Sequence, residues 1–310
     1  MTNPKTARGL MNRVVITGCF VSLLFVCQNP VRADESEYPR PDLLIEASQL
    51  AQPEVAAKFV ILDARSQPKY EHGHVPQARW VDQNAWAAAF DHGHDAGGWS
   101  RRIGALGVGA KTKVIVYDDT LNRDAARIWW ILRYWGVDDV RLLNGGWRAW
   151  IDGDKPIETA AVSASPVEFV AKARPERLAT KERLLKSLGG GRLQIVDARS
   201  EREFCGLDKM RNKRAGAIPG AKQLEWVDLI DTNTQRFKSA AELRQLFASA
   251  GIALDRPTAT HCQSGGRASV MAFGLELMGS KNVSNYYPSW AEWSSATDTP
   301  VVTGKPRPKN

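Results

Sequence analysis

The chain has 310 residues, of which 43% are hydrophobic and 25% charged. That mixture excludes a disordered, collagen-like or multi-span membrane protein, and the length suggests two domains. Four cysteines are too few for a disulfide scaffold of this size. The formal charge of +8 would suit a nucleic-acid binder, but Lys5, Arg8, Arg13 and Arg32 lie in residues 1–33, which contain no acid. Without those four the charge falls to +4, which fits a small anionic substrate and argues only weakly for nucleic acid.

Residues 1–33 have the layout of a secretory signal. Arg8 and Arg13 precede an apolar run from Val14 to Cys27, and Val31-Arg32-Ala33 ends the segment on a small residue. The run is shorter than the ~20 residues of a spanning helix. Cleavage after Ala33 is expected, giving an exported protein, periplasmic or secreted. An uncleaved short anchor is the alternative, and a lipoprotein reading at Ile16-Thr17-Gly18-Cys19 is weaker because little apolar sequence precedes Cys19. Cys19 and Cys27 leave with the signal, so Cys205 and Cys262 are the cysteines of the mature chain.

The rest of the chain repeats itself. Asp63-Ala64-Arg65-Ser66 returns 134 residues later as Asp197-Ala198-Arg199-Ser200. Trp147 and Trp150 return 143 residues later as Trp290 and Trp293. The second copy therefore carries an insertion, placed between Cys205 and Ala215, a basic stretch with Lys209, Arg211, Lys213 and Arg214. So long an offset means two homologous domains, not a solenoid. The first is placed at 34–162, a Ser-, Ala- and Pro-rich linker at 163–177, and the second at 178–304.

Within each copy, strand and helix signals alternate. Phe59–Asp63, Val114–Tyr117, Ile195–Asp197 and Thr258–His261 read as buried strands. Ala125–Trp135 and Ala268–Met278 read as the helices that follow. The alternation predicts an α/β fold, each domain a parallel sheet with helices on both faces.

Chemistry concentrates in Thr260-His261-Cys262-Gln263-Ser264-Gly265-Gly266-Arg267. A strand ends at Cys262 and a helix begins near Arg267. Two glycines between them allow successive backbone N–H groups to turn inward, and the helix start adds more. Such a cradle favours the charged form of a cysteine at its base. A thiolate there can attack a sulfur atom and carry it as a persulfide. Arg267 adds a positive charge for an oxyanion. Gln263, Ser264, Gly265, Gly266 and Arg267 are therefore the expected substrate-binding residues around a catalytic Cys262. A disulfide between Cys205 and Cys262 would disable the site.

With these residues in view, the sequence resembles the rhodanese family, the thiosulfate and 3-mercaptopyruvate sulfurtransferases, in its tandem two-domain form. The resemblance rests on Asp63-Ala64-Arg65 with Gly73-His74-Val75-Pro76-Gln77-Ala78, and on Asp197-Ala198-Arg199 with Gly216-Ala217-Ile218-Pro219-Gly220-Ala221. It rests also on Asn144-Gly145-Gly146-Trp147 and, less faithfully, Tyr287-Pro288-Ser289-Trp290. It implies five-stranded parallel sheets, a catalytic cysteine in the second domain only, no cofactor and no metal. It brings Arg199 into the expected substrate-binding set. Asp118 stands at the first-copy position that matches Cys262, in a loop without glycine or thiol, so the first domain is expected to be non-catalytic and to wall the cleft. Two departures bear on the donor. The loop reads Cys-Gln-Ser-Gly-Gly-Arg, closer to single-domain members. An arginine that helps bind substrate in familiar members corresponds to Glu203, for which Arg202 or the basic insert are the candidate substitutes.

Other signals have plainer readings. His72, His74, His92 and His94 suggest metal pairs, but His74 belongs to the Gly-His-Val-Pro element and His92 and His94 to a Gly/Asp loop. The 11 tryptophans are expected in the core more than on a ligand platform. Arg127 is read as a surface ion pair before a cleft residue, and Lys209–Arg214 as a solvated loop or a dock for an acidic partner. Cys205 is read as a buried thiol before a resolving one. The expected partners are a small sulfur donor, a thiophilic acceptor such as cyanide or a thiol, and a protein thiol as a further acceptor, with no nucleic acid and no stable membrane span after signal removal. Two rival functions stand: a cysteine phosphatase or arsenate reductase, whose His-Cys-x5-Arg loop is one residue longer than His261–Arg267, and a sulfur carrier without turnover.

Overall fold

In a computed structural model of the chain, the described residues are Met1, 37–90, 93–190 and 192–303. The expected signal segment, with Cys19 and Cys27, lies outside the described residues.

Two parallel sheets follow one another along the chain. The first contains β1 (Leu44–Ile45), β2 (Phe59–Asp63), β3 (Arg79–Trp80), β4 (Lys113–Tyr117) and β5 (Val140–Leu143), in the order β1-β5-β4-β2-β3. The second contains β6 (Gln194–Asp197), β7 (Lys222–Gln223), β8 (Thr258–His261) and β9 (Val283–Asn285), in the order β7-β6-β8-β9. The expected fifth strand of the second sheet is reduced to one parallel bridge, Leu178 to Asn285, on the outer side of β9. All strand pairings are parallel, because helical crossovers return the chain to the same end each time. The central strands are short and buried on both faces; β4 is an apolar run buried from Val114 to Tyr117, and β8 is buried throughout although three of its four residues are polar.

In each repeat the central strand leads through a loop into the longest helix: β4 into Arg123–Tyr134, and β8 into Gly266–Leu277. These two helices pack on each other, so the loops that precede them face one another across the repeats. Trp129 meets Phe273 edge-on at 4.9 Å, and Trp130 stacks on Tyr287 at 5.2 Å. Each such pair contributes about 0.5–1.5 kcal/mol beyond its buried area. One apolar core runs through both repeats, and Trp99, Trp129, Trp130, Trp135, Trp290 and Trp293 are buried in cores as expected. The segment read as a linker is extended and lies along the first repeat, with Lys172 N–H on the Trp135 carbonyl at 3.0 Å and Arg174 N–H on the Tyr134 carbonyl at 2.8 Å.

Candidate active site

The loop after β8 forms the floor of a cleft of about 380 Å³. Cys262, Gln263, Ser264, Gly266 and Arg267 line it from the second repeat, and Gln83, Asn84, Arg123, Asp124 and Arg127 from the first. The first repeat thus walls the cleft, as the sequence suggested. Cys262 is only 1% exposed, and it and Cys205 are both free thiols.

Contacts behind the loop fix its course. Gly265 takes φ +85°, and a Cβ there would lie 2.6 Å from the Tyr287 ring. Its carbonyl accepts from Ser269 N–H at 2.9 Å, Ser269 Oγ at 2.9 Å and Asn285 Nδ2 at 3.1 Å. The Cys262 N–H donates to Ser289 Oγ at 3.1 Å, and the Cys262 carbonyl accepts from Trp290 N–H at 3.0 Å. Among the described residues, the backbone N–H groups from Gln263 to Arg267 have no protein acceptor. They form the open donor set that the two glycines implied.

The first repeat shows the same loop closed. The Asp118 carboxylate accepts from the N–H groups of Thr120 (3.2 Å), Asn122 (3.0 Å), Asp124 (2.8 Å) and Ala125 (2.9 Å), and from Thr120 Oγ1 (2.9 Å). Its carbonyl accepts from Trp147 N–H at 2.8 Å, the counterpart of the Cys262–Trp290 bond. Burial, and then the neighbouring Asp124 carboxylate, push the Asp118 pKa up against these donors. The side chain at the cysteine position has thus filled its own anion cradle.

Arg267 is not the free cation expected. Its guanidinium forms a two-pronged pair with Glu203, Nη1 to Oε2 at 2.6 Å and Nη2 to Oε1 at 3.0 Å. Burial would raise the Glu203 carboxyl, but the Arg267 hydrogen bonds and charge outweigh it and hold its pKa below the usual value. Arg267 therefore lines the cleft with much of its charge already offset. Arg199, expected to bind substrate, is corrected: it is 1% exposed, clamped to Asp197 at 2.6 Å and to the Gly216 carbonyl at 2.8 Å, and lies over the Trp290 ring. It is absent from the cleft lining. The first repeat has the same clamp, Arg65 on Asp63 and on the Gly73 carbonyl. An arginine kept in the repeat without the thiol was the sequence signal that it supports the fold.

Arg127 is corrected in the other direction. It forms no ion pair among the described residues; it lines the cleft, with Nη1 3.2 Å from Tyr287 Oη and Nε buried without an acceptor. Arg123 also lines the cleft, paired with Asp124 at 3.0 Å. The charge sought at Arg202 or in the insert comes from the first repeat instead. A Cβ on Gly266 would lie 2.4 Å from Arg127 Nη2, so the second glycine also makes room for this side chain. Within the insert, Lys209, Arg211 and Lys213 are exposed, while Arg214 is bound to the carbonyls of Trp293 and Ala296, both at 2.6 Å, and serves the fold. Asn212 and Gln263 exchange two side-chain hydrogen bonds, at 3.0 and 2.7 Å, which ties the insert to the active loop. Cys205 is buried, and burial followed by the Glu201 charge pushes its pKa up, an environment that suits an inert thiol.

Two residues named in the sequence motifs had been given no role of their own. Ser289 holds a left-handed φ of +58° at the position of Gly146 and offers its hydroxyl to Cys262; a serine in the place of a motif glycine was the available signal. His261 is fully buried, and burial drives its pKa down to about 4 although Asp197 opposes the shift. It is neutral near pH 7 and supplies no imidazolium to Cys262. Between the ordinary 6.5 and about 4, the unfolded chain takes up a proton that the native chain refuses. Native stability should therefore fall as pH drops through that window, by up to ~3 kcal/mol. Urea unfolding at pH 7 and pH 4.5 should show a smaller loss in His261→Asn than in the unaltered chain; equal losses would contradict the assignment.

Comparison with known proteins now bears on this geometry. The rhodanese-like domain family matches residues 46–152 and 180–296. The chain belongs to the rhodanese family. It is 33% identical to mouse 3-mercaptopyruvate sulfurtransferase, over 74% of this chain and 80% of the relative. It is 31% identical to a thiosulfate sulfurtransferase of Pseudomonas aeruginosa, over 84% and 96%. Among solved structures, an anaerobic ergothioneine biosynthesis enzyme from Chlorobium limicola in complex with trimethyl histidine superposes with a TM-score of 0.78 at 25% identity, covering 87% of this chain and 72% of that one. These likenesses make this rhodanese a sulfurtransferase, in keeping with persulfide chemistry on its fold.

Proposed function

We propose that Cys262 takes the outer sulfur of thiosulfate and passes it to a thiophilic acceptor such as cyanide or a thiol, with 3-mercaptopyruvate as the second donor. The Cys262 thiolate attacks the donor's transferable sulfur; in thiosulfate the S–S bond breaks and sulfite leaves with the bonding pair, and in 3-mercaptopyruvate the C–S bond breaks and pyruvate leaves as its enolate, which then takes up a proton. The acceptor then attacks the outer sulfur of the persulfide and the Cys262 thiolate leaves. The observation that carries the reading is the contrast between two equivalent loops. One has its N–H donors saturated by Asp118; the other leaves them open beside Cys262. Gln263, Ser264, Gly265, Gly266 and Arg267 provide the binding loop.

A dianionic donor is favoured by the cations facing the thiol. Arg123 and Arg267 each have a carboxylate partner and Arg127 has none. Arg127→Gln should lower kcat/KM for thiosulfate roughly 10–100-fold, the weight of one charge-assisted contact, and lower that for 3-mercaptopyruvate less. Steady-state thiocyanate formation with both donors reads this out. An unchanged thiosulfate rate would remove Arg127 from the donor site. Good hydrolysis of p-nitrophenyl phosphate without sulfur transfer would favour the phosphatase reading, and a single turnover without steady state the carrier reading. The short loop argues against the phosphatase, since fewer donors are available to surround a phosphoryl group.

Export to the periplasm or exterior, with cleavage after Ala33, belongs to the same proposal. It rests on the basic, apolar and small-residue order of residues 1–33. Mass spectrometry of protein from a native-like host should find Asp34 at the amino terminus.

A further inference from the structure

The helix that brings Arg127 to the cleft carries Arg133 in its last turn, toward the end of the sheet where β8 and β9 begin. There it enters a second cavity, of about 450 Å³, with Arg174, Arg177, Arg183 and Lys281. Pro257 and Val283 also line it. They lie at the beginnings of β8 and β9, whereas Cys262 follows the end of β8. The cavity is thus separated from the cleft by the length of the sheet, and it takes residues from both repeats.

Its charges do not cancel. Asp138 is engaged by Arg174, and Glu276 by Arg177 at 2.7 Å. Glu176 is the remaining carboxylate of the lining and is exposed. Arg133, Arg183 and Lys281 form no ion pair among the described residues. Arg177 is only 9% exposed, yet its Nε has no acceptor; the Nε of Arg133 is likewise buried without one. Burial and then the Arg177 charge depress the Arg133 pKa, with Glu276 opposing and Arg174 adding to the fall. The buried Nε atoms face protein, and Arg133 Nη1 donates to the Asp138 carbonyl; what the cavity leaves open is charge, since Arg133, Arg183 and Lys281 line it with no carboxylate of their own. A ligand with two negative charges and several acceptor oxygens relieves that repulsion, and guanidinium groups present forked donors to such oxygens.

We propose that the cavity between Arg133, Arg177, Arg183 and Lys281 is a binding site for a compact divalent oxyanion of the sulfate, sulfite and phosphate class, bridging the two repeats away from Cys262. The site is independent of the donor assignment. The test is equilibrium dialysis of the full chain against radiolabelled sulfate at constant ionic strength set with chloride. Unlabelled sulfite and phosphate serve as competitors, to tell a sulfur oxyanion from phosphate. In an Arg127→Gln background, which disables anion binding at the cleft, the double variant Arg183→Gln/Lys281→Gln changes two exposed side chains and should weaken the remaining saturable binding at least tenfold. Arg133→Gln should do the same from the other repeat. Arg127→Gln, at the cleft, should leave this binding in place. Retained affinity in both variants of this cavity would overturn the proposal, as would loss of all binding in Arg127→Gln alone or the lack of a saturable component in the unaltered chain.

Discussion

Cys262→Ser is expected to abolish sulfur transfer, by ~10³-fold or more, while leaving the fold intact. Serine keeps the size of the side chain at a site 1% exposed, so Ser289 and Trp290 retain their contacts with the Cys262 backbone. It removes the one atom able to hold sulfur as a persulfide. Cys205→Ser should retain most activity, since that thiol is buried and free. Intact-mass measurement after exposure to donor gives the second readout. The unaltered chain and Cys205→Ser should each gain one sulfur atom, and Cys262→Ser none. Turnover in Cys262→Ser, or loss of the adduct in Cys205→Ser, would move the nucleophile elsewhere.

Arg267→Ala should reduce stability as well as catalysis. The substitution strands the Glu203 carboxylate, 5% exposed, without its partner. Breaking a buried pair from one side costs about 3–5 kcal/mol. The lower end applies here, because the Arg267 side chain is 21% exposed and Ser200 still donates to Glu203 through its N–H and hydroxyl. Urea unfolding should show the loss, and Glu203→Gln in the same background should recover most of it by removing the stranded charge. An unchanged midpoint in Arg267→Ala would mean that the pair contributes nothing to the fold. Glu203→Gln alone should instead release the guanidinium and strengthen use of a dianionic donor.

The parts of the site that follow from local sequence were legible in it. Phe59–Asp63 and Thr258–His261 are strands to the residue, the first because an apolar run ending in a polar turn has few other solutions and the second, although Thr258, Thr260 and His261 are polar, because it occupies the matching place before the loop and helix of the second copy. The helix after Cys262 begins where the glycines end. Contacts between distant segments were not legible. Glu203 and Arg267 are 64 residues apart, and their pairing depends on how a short helix docks on the loop. Arg127 turned out to face the cleft because its helix packs on Gly266–Leu277. Its own periodicity marks an apolar stripe but not which repeat covers it. Arg199 was misplaced for a different reason: a motif arginine was read as functional although its twin, Arg65, stands in the repeat without the thiol.

Asp118 also decides the stoichiometry of the chain. A carboxylate tethered inside its own donor set acts as a ligand at an effective concentration that no dissolved anion matches. Thiosulfate, sulfite or a mercapto acid therefore has nothing to gain at the first loop, and the duplication does not create a decoy that would hold donor away from the thiol. Two copies of an anion-binding loop yield one vacancy per chain, and the occupied copy is left free to contribute Arg123 and Arg127 to the other's entrance.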